Sequence, residues 1–127
     1  MAIRTELILR LQNSPGALGR ICQHLLNERV NILALNLESG GTLRLIVDNP
    51  LHAAGTLKDQ QFSVNERDVL FIHLPNNPGA FEQATQLLTK AGINIEYVYG
   101  SAVADYPMAS IVVGVEDIQH AAMATGI

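Results

Sequence analysis

Four asparagines stand at fixed distances from two Pro-Gly turns. Asn13 precedes the sequence Ser-Pro-Gly-Ala, and Asn31 follows fifteen residues after the glycine of that turn. The arrangement returns 63 residues later with Asn76 and Asn94. An asparagine side chain offers one carbonyl acceptor and two N–H donors, and the free N–H groups at a helix start attract an anion. Together these groups can hold a zwitterion, with the amides binding its carboxylate and the asparagine carbonyls its ammonium group.

The same residues also have a purely structural interpretation. The pattern Asn-x-Pro-Gly-Ala predicts the end of a strand, a turn and a new helix. Ser14 and Asn77 are then the expected N-caps, and Pro15 and Pro78 the expected first helical residues. Asparagine is also common in turns because its side chain bonds to nearby backbone groups. The recurrence favours a binding role as much as a capping role, and the sequence alone leaves both open.

The recurrence extends over a whole segment of the chain. Residues 13–34 and 76–97 share eight identities over 22 aligned positions without a gap. An internal duplication predicts two structural units, which we place at 1–67 and 68–127. A unit of roughly 60 residues buries a limited core, so each is expected to pack against the other or against a second chain.

Hydrophobic patterns predict the elements that position these asparagines. Alternating and helix-spaced apolar residues place the strands of the first unit at 6–12, 31–38, 42–48 and 61–66, and its helices at 15–28 and 50–57. This βαββαβ order predicts a ferredoxin-like α+β unit, with an antiparallel four-stranded sheet and two helices on one face. The second unit should repeat it from Val69, with strands at 93–100 and 108–115 and a helix at 116–124. It lacks a last strand, and an open edge invites pairing with another strand.

The sheet face that points away from the helices is expected to be half apolar and exposed. In the first strands of the two units it carries Ile8, Val69 and Phe71 among Glu6, Arg10 and His73. An exposed apolar face suggests a partner, most simply a second copy of the chain. The sequence therefore predicts a homodimer.

Composition excludes several functional classes. Net charge is -4 and the eight Lys and Arg residues are scattered, which argues against a nucleic-acid surface. No two of the four histidines are spaced for a helical metal site, Cys22 is the single cysteine, and no Ser/His/Asp or Cys/His arrangement is present. No apolar run approaches the ~20 residues that cross a membrane. We expect a cytoplasmic protein that is not an enzyme and that needs no metal or other cofactor.

At the two turns the chain resembles the ACT domain family, small regulatory modules that bind amino acids. The resemblance rests on a strand, Asn-x-Pro-Gly-Ala, a helix, and then Val-Asn-Ile or Ile-Asn-Ile before the next strand, in two tandem copies. It implies an effector site formed where two modules pack side by side. By motif position it implies ligand-binding roles for Asn13, Ser14, Gly16, Ala17, Leu18 and Asn31, and for Asn76, Asn77, Gly79, Ala80, Phe81 and Asn94. Some serine-binding members carry a histidine where this chain has Leu11 and Leu74, which argues against serine specificity of that kind.

Two functional hypotheses follow from the resemblance. In the first, the chain is a non-catalytic sensor that binds an amino acid or related metabolite, and regulates a partner enzyme or regulator or its own assembly. In the alternative, it is an oligomerisation or protein-interaction module without a working ligand site. The two differ in whether the duplicated loop binds a small molecule.

Overall fold

The computed structural model describes residues 2–126, and its elements follow the predicted α+β order. They are β1 (Ala2–Arg10), α1 (Ala17–Asn27), β2 (Ile32–Leu37), β3 (Thr42–Val47), α2 (Pro50–Asp59), β4 (Asn65–Pro75), α3 (Ala80–Lys90), β5 (Ile95–Ala102), β6 (Met108–Val115) and α4 (Ile118–Thr125). Contacts divide them into two compact units. The first unit is Thr5–Arg67, and the second consists of residues 2–4 together with residues 68–126.

In the first unit β3 lies between β1 and β2, and both pairs are antiparallel. Leu9 of β1 lies opposite Leu43, so these two side chains share one face of the sheet. That face forms a buried core with the apolar stripes of both helices, from Leu7, Leu9, Leu43, Leu45, Ile21, Leu25, Ala53 and Leu57. Because α1 and α2 share one core, they cover the same face of the sheet, as a ferredoxin-like unit requires.

The second unit repeats the arrangement with β6 between β4 and β5. Its core combines Leu70, Ile72, Leu74, Ile111, Val113 and Val115 of the sheet with Ala84, Leu88, Ala121 and Ala122 of the helices. Ile3 packs against this core, so the start of β1 supplies apolar surface to the second unit. The predicted fold class, two ferredoxin-like α+β units in tandem, is confirmed.

The predicted strand boundaries change where the units join. The expected strand at 61–66 and the one beginning near Val69 are a single strand, Asn65–Pro75. Its first residues, 65–67, belong to the first unit, and the others belong to the second. The intervening residues Arg67 and Asp68 include no glycine or proline, so nothing in them turns the chain. Three further predicted elements, at 6–12, 93–100 and 116–124, begin two to four residues away from their predicted starts.

The N-terminal residues also belong to a different unit from the one predicted. The sequence placed residues 2–4 in the first unit, whereas the contacts place them in the second. The reason is packing, because Ile3 lies against the second core and the guanidinium carbon of Arg4 lies 5.6 Å from the centre of the Phe71 ring. That residues 1–67 and 68–127 are the two domains of the chain stays a prediction.

The sheet face away from the helices is less exposed than the sequence predicted. Glu6 and Val69 have no exposed surface and Phe71 is also buried, so for these three residues the expectation was wrong. Arg44 donates a hydrogen bond to the Glu6 carboxylate over 3.1 Å. Phe71 lies under the Arg4 guanidinium and against the edge of His73. Long polar neighbours shield these positions because their stems cover apolar surface.

Candidate ligand-binding site

Both Pro-Gly turns are built in the same way, but not as the sequence predicted. Helices α1 and α3 begin at Ala17 and Ala80, with Gly16 and Gly79 as N-caps at φ of 83° and 89°. The expected caps, Ser14 and Asn77, make no side-chain cap bond. A positive φ is incompatible with helical geometry, so the glycine that follows the proline delays the start of each helix by two residues.

Within the first turn, the backbone is held by two short-range hydrogen bonds. The N–H of Ser14 donates to the Gln12 carbonyl over 2.9 Å, and the N–H of Ala17 donates to the Ser14 carbonyl over 3.3 Å. The second turn repeats both bonds, at 3.0 and 3.3 Å. The N–H groups of Leu18 and Gly19 have no backbone acceptor among residues 2–126, as expected for the first turn of a helix. Both N–H groups lie at the N-terminal end of α1, where the helix dipole attracts anions.

A cavity of about 340 Å³ lies beside the first turn, within the first unit. One wall is the turn with the start of α1, and the other is the hairpin between β2 and β3. Its lining residues are Leu11, Gln12, Asn13, Ser14, Gly16, Ala17, Leu18, Gly19, Leu37, Glu38, Ser39 and Gly41. Five of the six residues predicted for this site, all but Asn31, therefore lie around one cavity.

The polar groups of this cavity carry both signs of charge. The Asn13 side chain makes no hydrogen bond with the residues that the structure describes. The Glu38 carboxylate contributes a negative charge, and its Oε1 lies 3.7 Å from Nε of Arg44. Arg20 is not a lining residue, but its Nη1 lies 3.8 Å from the position that a Cβ on Gly16, which does line the cavity, would take. Glu38 was missed by the sequence reasoning, although its place beside the Ser-Gly-Gly hairpin was visible.

Asn31 lies at the other end of the first unit. Arg10, at the end of β1, pairs with Thr42, whereas Ile32, which follows Asn31, pairs with Val47 at the far end of β3. At about 3.3 Å per residue the two ends are roughly 17 Å apart. Asn13 and Asn31 therefore do not meet within the first unit, because a helix crossover returns the chain to the start of the next strand. The backbone N–H of Asn31 instead donates to the Asp48 carboxylate over 3.0 Å, and the Asn31 carbonyl accepts from the N–H of Asp48 over 3.1 Å.

The second unit separates its asparagines in the same way. Pro75, which precedes Asn76, pairs with Met108, whereas Ile95, which follows Asn94, pairs with Val115 at the opposite end of β6. Asn94 lines a different cavity of about 390 Å³ with Glu96, Glu116, Asp117 and His120. Asn76 and Asn94 therefore do not meet within the second unit either.

Asn76 differs from Asn13 in what its side chain does. Its Nδ2 donates to the carbonyls of Val103 and Tyr106 over 3.1 and 2.7 Å. Its backbone N–H donates to the Pro107 carbonyl over 3.0 Å. The β5–β6 hairpin is longer than the β2–β3 hairpin, and it binds the side-chain amide of Asn76. The corresponding amide of Asn13 lines the cavity of the first unit. Both N–H donors of Asn76 serve this hairpin, so the group is committed to structure.

The helix starts also differ in charge. The first turn of α3 contains Glu82, where α1 has Gly19 and no acidic residue. One position further, α1 has Arg20 and α3 has Gln83. A carboxylate at a helix start is itself stabilised there and repels a second anion. The first unit is therefore better suited than the second to receive an anionic group.

The part of the chain that the structure describes contains no group of three His, Cys, Asp or Glu residues arranged to hold a metal ion. Cys22 is a free, partly buried cysteine on α1. Among residues 2–126 no helix is long and apolar enough to span a membrane.

Comparisons with known proteins agree with this architecture. A family model described as an ACT domain pair matches residues 1–118. Protein BT0572 from Bacteroides thetaiotaomicron is 31% identical, with a TM-score of 0.90 over 98% of this chain and 87% of that one. The ligand-free regulatory subunit of aspartate kinase from Thermus thermophilus has a TM-score of 0.71 at 16% identity, covering 98% of this chain and 90% of that one.

A larger enzyme contains the same fold. Aspartokinase III of E. coli, in complex with lysine and aspartate, has a TM-score of 0.61 at 16% identity, over 98% of this chain and 31% of that one. No curated protein matches the sequence. At these identities the two kinases share the fold, whereas the family model covers nearly the whole sequence. This chain belongs to the family of ACT domain pairs.

Proposed function

We propose that this chain is a non-catalytic regulatory module that binds a small amino acid or related zwitterion in the cavity of the first unit. The observation that carries the proposal is the set of opposite charges around that cavity. The turn wall presents the anion-attracting start of α1 and the unbonded Asn13 amide, with the Arg20 guanidinium near Gly16, and the hairpin wall presents Glu38. A volume of about 340 Å³ accommodates a molecule of that size.

In the proposed complex each end of the ligand has its own partners. The ligand carboxylate accepts hydrogen bonds from the N–H groups of Leu18 and Gly19, with the Arg20 guanidinium nearby. The ammonium group donates to the Asn13 carbonyl and the Glu38 carboxylate. The predicted ammonium ligand Asn31 is thus replaced by Glu38, which the fold brings to the same cavity as the turn. Leu18 and Leu37 supply apolar contact for the ligand side chain.

The similar solved structures support the regulatory part of the proposal. One is named as a regulatory subunit of aspartate kinase, and another is an aspartokinase in complex with lysine and aspartate. By analogy, this chain would regulate a partner enzyme or regulator, or its own assembly as a homodimer. Ligand binding transmits a signal only if the ligand has different affinities for two states of the protein.

We assign the second turn a weaker role in binding. Asn76, Asn77, Gly79, Ala80 and Phe81 keep the loop geometry of the first unit, but Asn76 is engaged by its hairpin and Glu82 opposes an anion. Asn31 does not reach the turn of the first unit, nor Asn94 that of the second, and their roles in ligand binding stay predictions.

The decisive experiment compares the two loop asparagines. We expect a thermal-shift screen of amino acids to find a ligand that, at 100 times its dissociation constant, stabilises the fold by about 2.7 kcal/mol. Asn13→Ala should lower the affinity about tenfold without changing the stability of the free protein, because the side chain makes no internal bond. Asn76→Ala should retain the affinity but lower the free energy of unfolding by about 1 kcal/mol, because two hairpin carbonyls lose their donor.

Two results would contradict the proposal. One is the absence of any ligand in the screen, and the other is equal loss of affinity in the two variants. Calorimetric titration of each variant with the same ligand separates affinity from stability, and urea denaturation gives the stability of the free proteins.

A second candidate function is protein interaction without a ligand. Leu33, Leu35 and Leu37 are each 40–44% exposed on β2, which pairs with β3 alone among the strands described. Exposed leucines on an edge strand favour association with another chain. A homodimer found by sedimentation equilibrium, together with an empty ligand screen, would support this function in place of the first.

A further inference from the structure

The second unit contains a cavity that neither loop site explains. It has a volume of about 240 Å³, lies between β4 and the two helices of the unit, and is lined mainly by apolar atoms. Ile72 and Leu74 form its floor on the strand side, and Ala84, Leu87 and Thr125 belong to the helices around it. The cavity opens to solvent beside Leu87, and a gap of this size next to a packed core calls for a physical cause.

The internal duplication shows which side chains fill this place in the first unit. Ala84 is 63 residues after Ile21, the corresponding position of α1. The sequence His-Ala-Ala occurs in α2 at 52–54 and in α4 at 120–122. When the two helices are aligned on it, Thr125 of α4 corresponds to Leu57 of α2. Ile21 and Leu57 are completely buried. Their smaller counterparts leave part of that volume empty, as large-to-small core changes do.

An aromatic ring occupies the corresponding place in the first unit. Phe62 packs against the first core, and its ring centre lies 6.1 Å from that of His24. Its N–H donates to the Leu57 carbonyl over 3.1 Å. The counterparts of His24 and Leu57 are Leu87 and Thr125, and both line the cavity.

Each of the two helices places one polar side chain beside this cavity, Thr125 on α4 and Gln83 on α3. The hydroxyl of Thr125 donates to the carbonyls of Ala121 and Ala122 in its own helix, over 2.9 and 3.2 Å. Gln83, like Leu87, is exposed. A site with satisfied polar groups and apolar walls holds water poorly, and an apolar cavity of about 150 Å³ is enough to bind benzene.

From these observations we infer that the second unit binds an aromatic ring of a small molecule in this cavity, in the position that Phe62 fills in the first unit. The ring packs on Ile72 and Leu74 and enters beside Leu87. The site involves none of the polar groups of the first-unit cavity, so it is a second ligand site and is independent of the proposed amino-acid site.

Toluene is a probe of the right size and chemistry. We expect a titration followed by two-dimensional NMR to shift the backbone or methyl signals of Ile72, Leu87 and Thr125 and to leave those of Leu9 and Ile21 in place. Ala84→Ile, which restores the residue of the first unit, should weaken toluene binding by about tenfold or more. Thr85→Ile adds the same side chain at an exposed position of α3 and should bind toluene like the unchanged protein.

Thr125→Leu provides a second filling variant in case Ala84→Ile does not fold, and it should weaken toluene binding as well. Toluene that shifts no signal of the second unit would overturn the inference, as would unchanged binding in a folded filling variant. Shifts of the same signals on raising the protein concentration, with no response to toluene, would show that a side chain from a second copy fills the cavity, and would also overturn it.

Discussion

Glu6 is the most deeply buried charged residue among those described, and Arg44 holds its charge. Nη1 of Arg44 lies 3.1 Å from the Glu6 carboxylate, and Nε of the same guanidinium lies 3.7 Å from Glu38. Arg44 therefore links a completely buried carboxylate to one that lines the first-unit cavity. A guanidinium can serve two acidic groups in this way because its donors form a rigid fork.

We expect Glu6→Gln to lower the free energy of unfolding by about 2 kcal/mol or more, because it leaves the Arg44 charge in a largely buried place without its closest counter-charge. Urea denaturation measures the change. Glu66→Gln, at an exposed position of β4, is the control and should stay within about 0.5 kcal/mol of the unchanged protein. Equal effects of the two substitutions would show that the buried ion pair contributes little.

At the scale of single elements, the start of α1 shows where sequence reasoning is reliable and where it is not. Asn49, directly before Pro50, has the residue types of a helix start, and its side chain accepts a hydrogen bond from the N–H of His52 over 3.2 Å as the N-cap of α2. The predicted cap Ser14 was wrong because Gly16 takes a positive φ. A side-chain cap can be recognised from residue types alone, whereas a glycine is compatible with several turn geometries.

Replacing either of two glycines near the start of α1 with alanine should change the stability of the protein, but in opposite directions. Gly16→Ala should destabilise the protein by about 1 kcal/mol or more, because a side chain is strained at φ 83°. Gly19→Ala should stabilise it by up to about 1 kcal/mol, because Gly19 is helical and a Cβ there meets no atom within 4 Å. Thermal melts of both variants test this, and a change of the same sign would contradict it.

At the scale of the whole molecule, each unit completes its core with an isoleucine at the margin. Ile3 packs against the core of the second unit and Ile32 against that of the first. Ile3 is far in sequence from the other residues of its unit, so this packing is a long-range contact. The second unit thus depends on the first residues of the chain.

We expect Ile3→Ala to destabilise the second unit by about 1–3 kcal/mol through lost apolar burial. Hydrogen exchange should accelerate for the amides of Val113 and Val115 more than for those of Leu43 and Leu45. Ile32→Ala is the matched control and should produce the reverse pattern. Equal acceleration in both units by Ile3→Ala would show that the chain opens only as one cooperative whole.

The sequence by itself determined what depends on local pattern and on repetition: the duplication, the βαββαβ order, the ferredoxin-like class and the family. It also placed Asn13 and the residues around Gly16 in a loop suited to an anion. The tertiary structure decided which groups meet. It separated Asn31 from Asn13, brought Glu38 to the cavity, and used Asn76 to hold a hairpin. Strand alternation and turn residues follow from neighbours along the chain, whereas these contacts depend on strand register and hairpin length, which only the packed sheet sets.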